Sequence, residues 1–282
     1  MNKIGLIGHG VVGKAVEQGF APYFDTFIYD KYKTPRVGSS GRICESIHEV
    51  VQLVNGPIFV CVPTPMTQNW YQYGSCDTSI VQEVVKEINE AEKYVYDTPV
   101  VAIKSTVPPG TTQHLSEEYP NLHIGFNPEF LTERNAVEDF KNQDRIIIGA
   151  DLAATYAIRN CHKIAFHQVP IWECKPTEAE MVKYITNIHL AVKVSLANEF
   201  SEICDKLEIS YDKVVELATQ DARLGNSHWS VPGPDGHLGF GGTCFPKDIN
   251  ALMYAAKQIG IDTIVMNAAW NKNMIARKEP VC

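Results

Sequence analysis

The sequence predicts an α/β protein: an N-terminal doubly wound parallel sheet, then a helical domain built on a long central helix. Three observations predict it. Short apolar runs rich in β-branched residues alternate with helix-like stretches over the first half, the pattern of strands covered on both faces. A glycine-spaced turn, "GHGVVG" at 8–13, follows the first of these runs directly. Residues 177–208 contain neither glycine nor proline, and a helix of that length, about 45 Å, is too long for a crossover in a small sheet.

In chain order, strands are expected at 3–8, 26–30, 57–62, 99–103, 122–126, 145–149 and 164–169. A helix begins near Val11 and another covers 79–94. Thr177 and Glu180 stand at capping-box spacing at the head of the long helix. Further helices are expected at 210–220 and 247–260, joined by a loop rich in glycine and proline at 224–242. The division this suggests is 1–172 for the sheet domain and 173–282 for the helical one, each large enough to bury a core. The long helix reads as a spine between domains or as a face where two subunits pack, so a homodimer is expected.

A formal net charge of −8 argues against a nucleic-acid partner, because phosphate backbones call for a basic face. No run of 18 apolar residues marks a membrane span, and the opening "MNKIGLIGHG" does not read as a signal peptide. A cytoplasmic protein with no membrane partner is expected. The eight cysteines, Cys44, Cys61, Cys76, Cys161, Cys174, Cys204, Cys244 and Cys282, form no C-x-x-C pair. This argues against a zinc or dithiol site, and no metal is expected. Free thiols, mostly acting as small buried hydrophobes, are the expectation.

The motifs carry the chemistry. In "GHGVVG", Gly8 permits a tight turn, Gly10 lets a pyrophosphate approach the backbone, and Gly13 lets helix and strand pack closely, as in a Rossmann-type domain. The pyrophosphate would lie on the helix start at Val11 and Val12. Asp30, 22 residues after Gly8, would hold ribose hydroxyls and select NAD over NADP, with Lys31 and Lys33 nearby pulling the other way. Thr64 and Pro65 in "VPTP", and Ser105 and Thr106 in "KSTVPPGT", follow the third and fourth strands, where ligands of such sheets bind. In "NPEFLTE", Pro128 suits a first helical turn. Glu129 and Glu133 would then share a face, for chemistry or merely for solvation. Lys183 and Asn187 are one turn apart on the long helix, with Asn198 and Glu199 further on. All four could equally be its wet side. In "GFGGTCFPKD", glycines at 239, 241 and 242 free the backbone around Phe240, and Cys244 stands at a helix start. Lys247 and Asp248 are adjacent and should point apart.

These motifs, with "KYITN" and "DARLG", occur over about 1–262 in the order seen in the UDP-glucose/GDP-mannose dehydrogenase family. The chain resembles that family, nearest its members that oxidise UDP-glucose. The resemblance implies a place in nucleotide-sugar metabolism and polysaccharide biosynthesis. It implies oxidation of a sugar-nucleotide primary alcohol to a carboxylate with two NAD, UDP-glucose giving UDP-glucuronate. Cys244 would be the nucleophile, passing through a thiohemiacetal and a thioester. Asp248 with Lys183 would move protons and stabilise the oxyanion, and Asn187 would sit at the reacting centre. Glu133 would act in thioester hydrolysis and contact the cofactor, and Thr106 would order a water. Glu129, Phe240, Gly241 and Gly242 would lie against the substrate, and Arg223 would reach a neighbouring subunit's substrate. GDP-mannose, a UDP-N-acetylhexosamine, a two-electron hydroxyacid oxidation, or a non-catalytic NAD-binding module are the alternatives. Family members of the usual length continue into a C-terminal nucleotide-binding domain, which this chain is expected to lack. The loop "HWSVPGPDGHLGFGG" is longer than usual. It could substitute for lost contacts through His228, Trp229, Asp235 or His237, or serve as a lid.

Overall fold

The computed structural model describes residues 2–32, 40–67 and 74–278. Lys33 and Cys282, both named above, lie outside them. The chain divides into two units, Met1–Pro65 with Asp77–Lys183, and Met66–Cys76 with Tyr184–Cys282.

The first unit is a sheet of eight strands: β1 (Lys3–Ile7), β2 (Asp25–Tyr29), β3 (Arg42–Ile43), β4 (Ile58–Val60), β5 (Val100–Ile103), β6 (His123–Phe126), β7 (Ile146–Ala150) and β8 (Ile171–Cys174). Their order is β3-β2-β1-β4-β5-β6-β7-β8. Neighbours pair in parallel except β6 and β7. Side chains alternate across each strand, and two apolar cores result. Ile7, Phe27, Ile58, Val60, Val101, Ile103 and Phe126 enter one core. Ile4, Leu6, Ile28, Phe59, Ala102, Ile146 and Ile148 enter the other. Helices α2 (Ile47–Leu53), α3 (Ser79–Glu92) and α4 (Thr111–Glu118) cover the first face through Val50, Val84, Val85, Ile88 and Leu115. Helices α1 (Val11–Phe20), α5 (Ala136–Lys141) and α6 (Leu152–Ala165) cover the second through Phe20, Phe140 and Ile158. Burying each such side chain is worth about 1.5–3 kcal/mol, so the doubly wound architecture follows from strands that are apolar on both faces.

Three expectations are corrected. Residues 164–169 are not a strand: α6 runs to Ala165, and β8 forms only after Pro170. The apolar run belongs to the buried stripe of α6 and its exit, through Cys161, His162, Ala165 and Phe166. Residues 127–132 are not helical, and α5 begins only at Ala136. Side chains there occupy the backbone groups a helix would use. Glu129 accepts from its neighbour Leu131 N–H (2.7 Å), and Asp139 accepts from Thr132 N–H (2.7 Å) and the Thr132 hydroxyl. Glu129 and Glu133 therefore share no helical face.

The third correction concerns the 31-residue α7 (Pro176–Lys206), which starts on a proline suited to its first turn. Glu180 makes no capping box with Thr177. Its carboxylate accepts from Gly110 N–H (2.5 Å) and Thr112 N–H (2.8 Å) instead, at the start of α4. There it satisfies two donors that helix α4 cannot pair itself. Burial pushes the Glu180 carboxyl up, against the lowering effect of those N–H groups.

In the second unit the part of α7 from Tyr184 onward is joined by α8 (Tyr211–Ala218), a single 3₁₀ turn at Ala222–Leu224, α9 (Phe245–Gln258) and α10 (Ile264–Ala276). Its core gathers Tyr184, Ile188, Ala191, Phe240, Ile249, Met253, Trp270 and Met274. Ser195 on α7 donates to Ala269 O on α10 (2.8 Å).

Candidate active site

The chain reverses direction of winding beside β1: β2 and β3 lie to one side and β4 to the other. The glycine turn follows β1 at this switch point, where such sheets bind ligands. Gly8 has φ +88, and a Cβ there would stand 2.6 Å from Cys61 O. A Cβ on Gly13 would collide with the Gly8 carbonyl, whereas one on Gly10 would meet nothing within 4 Å. Gly10 is the N-cap of α1 and supplies no side-chain cap. The first N–H groups of α1, at Val11, Val12 and Gly13, thus open beside bare backbone, a ready site for a pyrophosphate.

Asp30, just after β2, accepts from His9 N–H (2.7 Å) and Tyr32 N–H (3.0 Å). Its carboxylate is half-exposed, so lone pairs remain for ribose hydroxyls. These residues fit NAD. Sequence reasoning missed the bolt beneath them. The buried His9 Nε2 meets Glu17 Oε2 at 2.6 Å, and Glu17 Oε1 accepts from Ser40 N–H and Gly41 N–H, both at 2.9 Å. A histidine inside the glycine turn, two turns before a glutamate on an otherwise apolar helix face, is the signal that could have found it.

At the next strand ends, Thr64 donates to Thr106 O (2.9 Å) and Ser105 to Val62 O (2.7 Å). These hydroxyls tie the "VPTP" and "KSTVPPGT" loops together, with Pro65 exposed beside them. Beyond β6, Lys183 on α7 donates to Glu129 O (2.7 Å) and to Glu129 Oε1 (2.9 Å). Burial would raise the Glu129 carboxyl. The Lys183 charge, Leu131 N–H and Lys104 outweigh it and hold that carboxyl below its ordinary range. Glu133 lies exposed in the turn before α5.

In the second unit, Cys244 is the N-cap of α9 and is exposed, with Thr243 Oγ1 at 3.7 Å from its sulfur. The helix start favours negative charge at this end. One turn on, the buried Asp248 takes Lys247 Nζ on Oδ1 (2.6 Å) and Asn187 Nδ2 on Oδ2 (2.6 Å). The expectation that Lys247 and Asp248 point apart is thereby corrected: the long lysine stem bends back along the helix. Burial would lower the Lys247 ammonium, but the Asp248 charge, helped by Cys76 and Cys244, raises it.

The loop before Cys244 is fastened by residues whose role the sequence did not reveal. Asn198 accepts from Gly239 N–H (3.1 Å), Asn273 accepts from Phe240 N–H (2.6 Å), and Arg277 donates to Phe240 O (2.8 Å). Phe240 is itself buried against Trp270 and Phe245. Gly241 packs under the Arg277 guanidinium, while Gly242 (φ +73) faces open space. Asp235 is taken by Arg277 (2.6 Å), and Trp229 donates to Gly225 O (2.9 Å) under Lys193. Asn198 is thus part of the loop's anchorage, while Glu199 is exposed. Arg223 is exposed and chelates its neighbour Asp221.

Two family models and several known proteins match the chain. Residues 46–169 match the NAD binding domain of the UDP-glucose/GDP-mannose dehydrogenase family, and residues 177–274 match that family's central domain. The glycine turn precedes the first of these ranges, so its assignment rests on its own geometry. UDP-glucose 6-dehydrogenase YwqF of Bacillus subtilis (strain 168) is 35% identical over 214 residues, 73% of this chain and 45% of that one. UDP-glucose 6-dehydrogenase AglM of Haloferax volcanii is 32% identical over 229 residues, 76% of this chain and 51% of that one. The solved UDP-glucose dehydrogenase of the hyperthermophilic archaeon Pyrobaculum islandicum superposes with a TM-score of 0.86 at 29% identity, over 98% of this chain and 68% of that one. The chain spans about half the length of the curated relatives it matches. With its NAD-binding and central domains both matched in order, the chain belongs to the UDP-glucose/GDP-mannose dehydrogenase family.

Proposed function

We propose that the chain oxidises the primary alcohol of a UDP-sugar, UDP-glucose giving UDP-glucuronate, in two two-electron steps with Cys244 as covalent carrier. The observation that carries this reading is Cys244 itself. It is an exposed thiol at a helix start, where the other described cysteines are buried or half-buried, and it stands one turn from a buried carboxylate held by a lysine and an amide. NAD, when bound, accepts a hydride at each oxidation. The chain's residues do the rest. A base takes the hydroxyl proton as the aldehyde forms. The Cys244 sulfur adds to that aldehyde, and loss of the second hydride leaves a thioester. Water then cleaves the C–S bond, releasing the acid and the thiol. A single alcohol-to-aldehyde step would need no thiol, whereas the second oxidation needs a covalent handle that also leaves well.

In this reading Asp248 and Asn187 handle the proton and the oxyanion at the reacting carbon, with Lys183 adding positive charge. Glu129 lies against the substrate, Glu133 assists hydrolysis, and Thr106 orders the attacking water. Gly241 and Gly242 present backbone to the sugar, and Arg223 reaches a partner subunit's substrate. The partner is a second copy of the chain. Leu196, Phe200 and Ile203 form an exposed apolar stripe on α7 at helical spacing, continued by the exposed Leu207 in the turn that follows, and Val214 and Leu217 of α8 are exposed as well. The test is the ratio of NADH formed to UDP-glucose consumed. Two supports the proposal. One indicates a simple alcohol oxidation, and none with NAD still bound indicates a non-catalytic module. Asp30 further predicts that NADP supports turnover poorly, because its carboxylate repels a 2′-phosphate. Equal kcat/KM with NADP would overturn that role.

A further inference from the structure

A buried cation in the first unit has no part in the chemistry above. Lys104 follows β5 and is 3% exposed. Its Nζ donates to Asn127 O (3.0 Å) and to Asn127 Oδ1 (3.1 Å), and it lies 5.6 Å from the centre of the Phe140 ring. Asn127 is equally buried. Its Nδ2 donates to Ile147 O (2.8 Å), and its Oδ1 also faces His162 Nε2 at 2.9 Å. With Oδ1 accepting, His162 must carry its proton on Nε2. Burial, and secondarily Lys104, hold that ring well below the usual imidazole range, so it stays neutral.

Asn127 opens the segment Asn127-Pro128-Glu129. Lys104 grips the carbonyl at its first residue, and Lys183 grips the carbonyl and carboxylate at its third. Two lysines therefore hold one three-residue segment, and the Glu129 carboxylate feels the charge of both. Burying an ammonium is costly even when it is well bonded. A neutral amide could clamp a carbonyl at less cost, so a clamping role alone does not account for a charge here.

We propose that Lys104 is a positioning residue for the Glu129–Lys183 pair: it fixes the Asn127–Glu129 segment and keeps the Glu129 carboxylate ionised against Lys183. The groups facing Lys104 are the Cys61 thiol at the end of β4, Glu129 beyond β6, His162 on α6 and Lys183 on α7. Cys61 is pushed up to about 12 by burial and stays a neutral thiol. His162 is neutral too, so Glu129 is the anion that Lys104 acts upon. The effect on the carboxylate is independent of the sugar-oxidising reading, and only its consequence for turnover rests on that reading.

The test replaces Lys104 by methionine, which keeps length and apolar bulk and removes the charge. The carboxyl of Glu129, identified in ¹³C-glutamate-labelled protein by its loss in Glu129→Gln, is titrated without cofactor or substrate. Its midpoint should rise by about one pH unit in Lys104→Met, the scale of a lost nearby charge. The acid limb of the kcat profile should rise with it, while KM for NAD stays within about twofold. If Lys104→Met proves unfolded, Lys104→Gln, which keeps a donor for the Asn127 carbonyl and removes the charge, is the second variant and should raise the midpoint likewise; Asn127→Ser is the control for the clamp. It keeps the carbonyl, leaves the ammonium in place, and should leave the Glu129 midpoint unmoved. A folded Lys104→Met or Lys104→Gln with the wild-type Glu129 midpoint would overturn the proposal and leave Lys104 a structural clamp, as would a midpoint shift in Asn127→Ser matching that of the charge deletion. Because the titration needs no turnover, it separates these outcomes even in a protein inactive on every sugar nucleotide.

Discussion

Two side chains show how environment decides what a residue can do. Cys161 and Cys244 carry the same thiol. Burial pushes the first above the range where it could ionise, whereas the second stands exposed on a helix start. Replacing Cys244 by serine changes volume little, so the melting temperature should stay within about 2 °C. Carboxylate production should fall at least ~10²-fold, corresponding to nearly 3 kcal/mol of barrier. A covalent sugar adduct in the intact mass would be further support. Near-normal turnover by folded Cys244→Ser would end the covalent mechanism. Lys104 makes a prediction about stability instead. Burial lowers its ammonium from 10.5 to about 8. Between those values the unfolded chain binds the proton that the folded one has lost, so this residue's contribution to stability rises with pH from about 8 to 10.5. Below 8 both states are protonated and the full penalty of burying the charge remains. Denaturant melts across that window should show wild type gaining on Lys104→Met. A constant difference between the two would show that the ammonium is not shifted.

Among the elements, the local ones were legible and the long-range fastenings were not. The turn at Gly8–Gly13, the N-cap position of Cys244 and the uninterrupted α7 are written in neighbouring residue types, because a turn, a cap and a helix face are decided within a few positions. The capping of α4 by Glu180 was not legible because its partners lie 70 and 68 positions away. Asn198 and Asn273 reach the Gly239–Phe240 backbone over 41 and 33. Spacing along a chain holds no trace of such pairings. The strand expected at 164–169 fails for another cause: a short apolar run fits the buried end of a helix as well as a strand. Glu180 also supports a measurable prediction. Glu180→Ala strands two N–H groups at the head of α4, and should cost about 2–3 kcal/mol in chemical denaturation. Glu180→Gln, which keeps one acceptor oxygen, should recover part of that loss. If both variants matched wild type, the carboxylate would not be capping α4.

For the molecule as a whole, the self-association proposed through α7 predicts a change of mass. Wild-type protein should elute as a dimer in size-exclusion chromatography with light scattering. Phe200→Asp with Ile203→Asp, two exposed positions on the stripe, should elute as a monomer with its helical content intact. Dimers that survive both charges would move the interface elsewhere. The order of the sheet has a consequence for how long each part stays folded. β1 and β4 have strands on both sides and apolar cover on both faces. β3, two exposed residues long, closes one edge. Amide hydrogens of β1 and β4 should exchange with solvent only through global unfolding, while those at β3 exchange through local fraying. The glycine turn grows directly out of β1, so it is anchored on a strand hydrogen-bonded along both edges. Its backbone waits for a pyrophosphate already in shape, and little of the binding free energy is lost to ordering it.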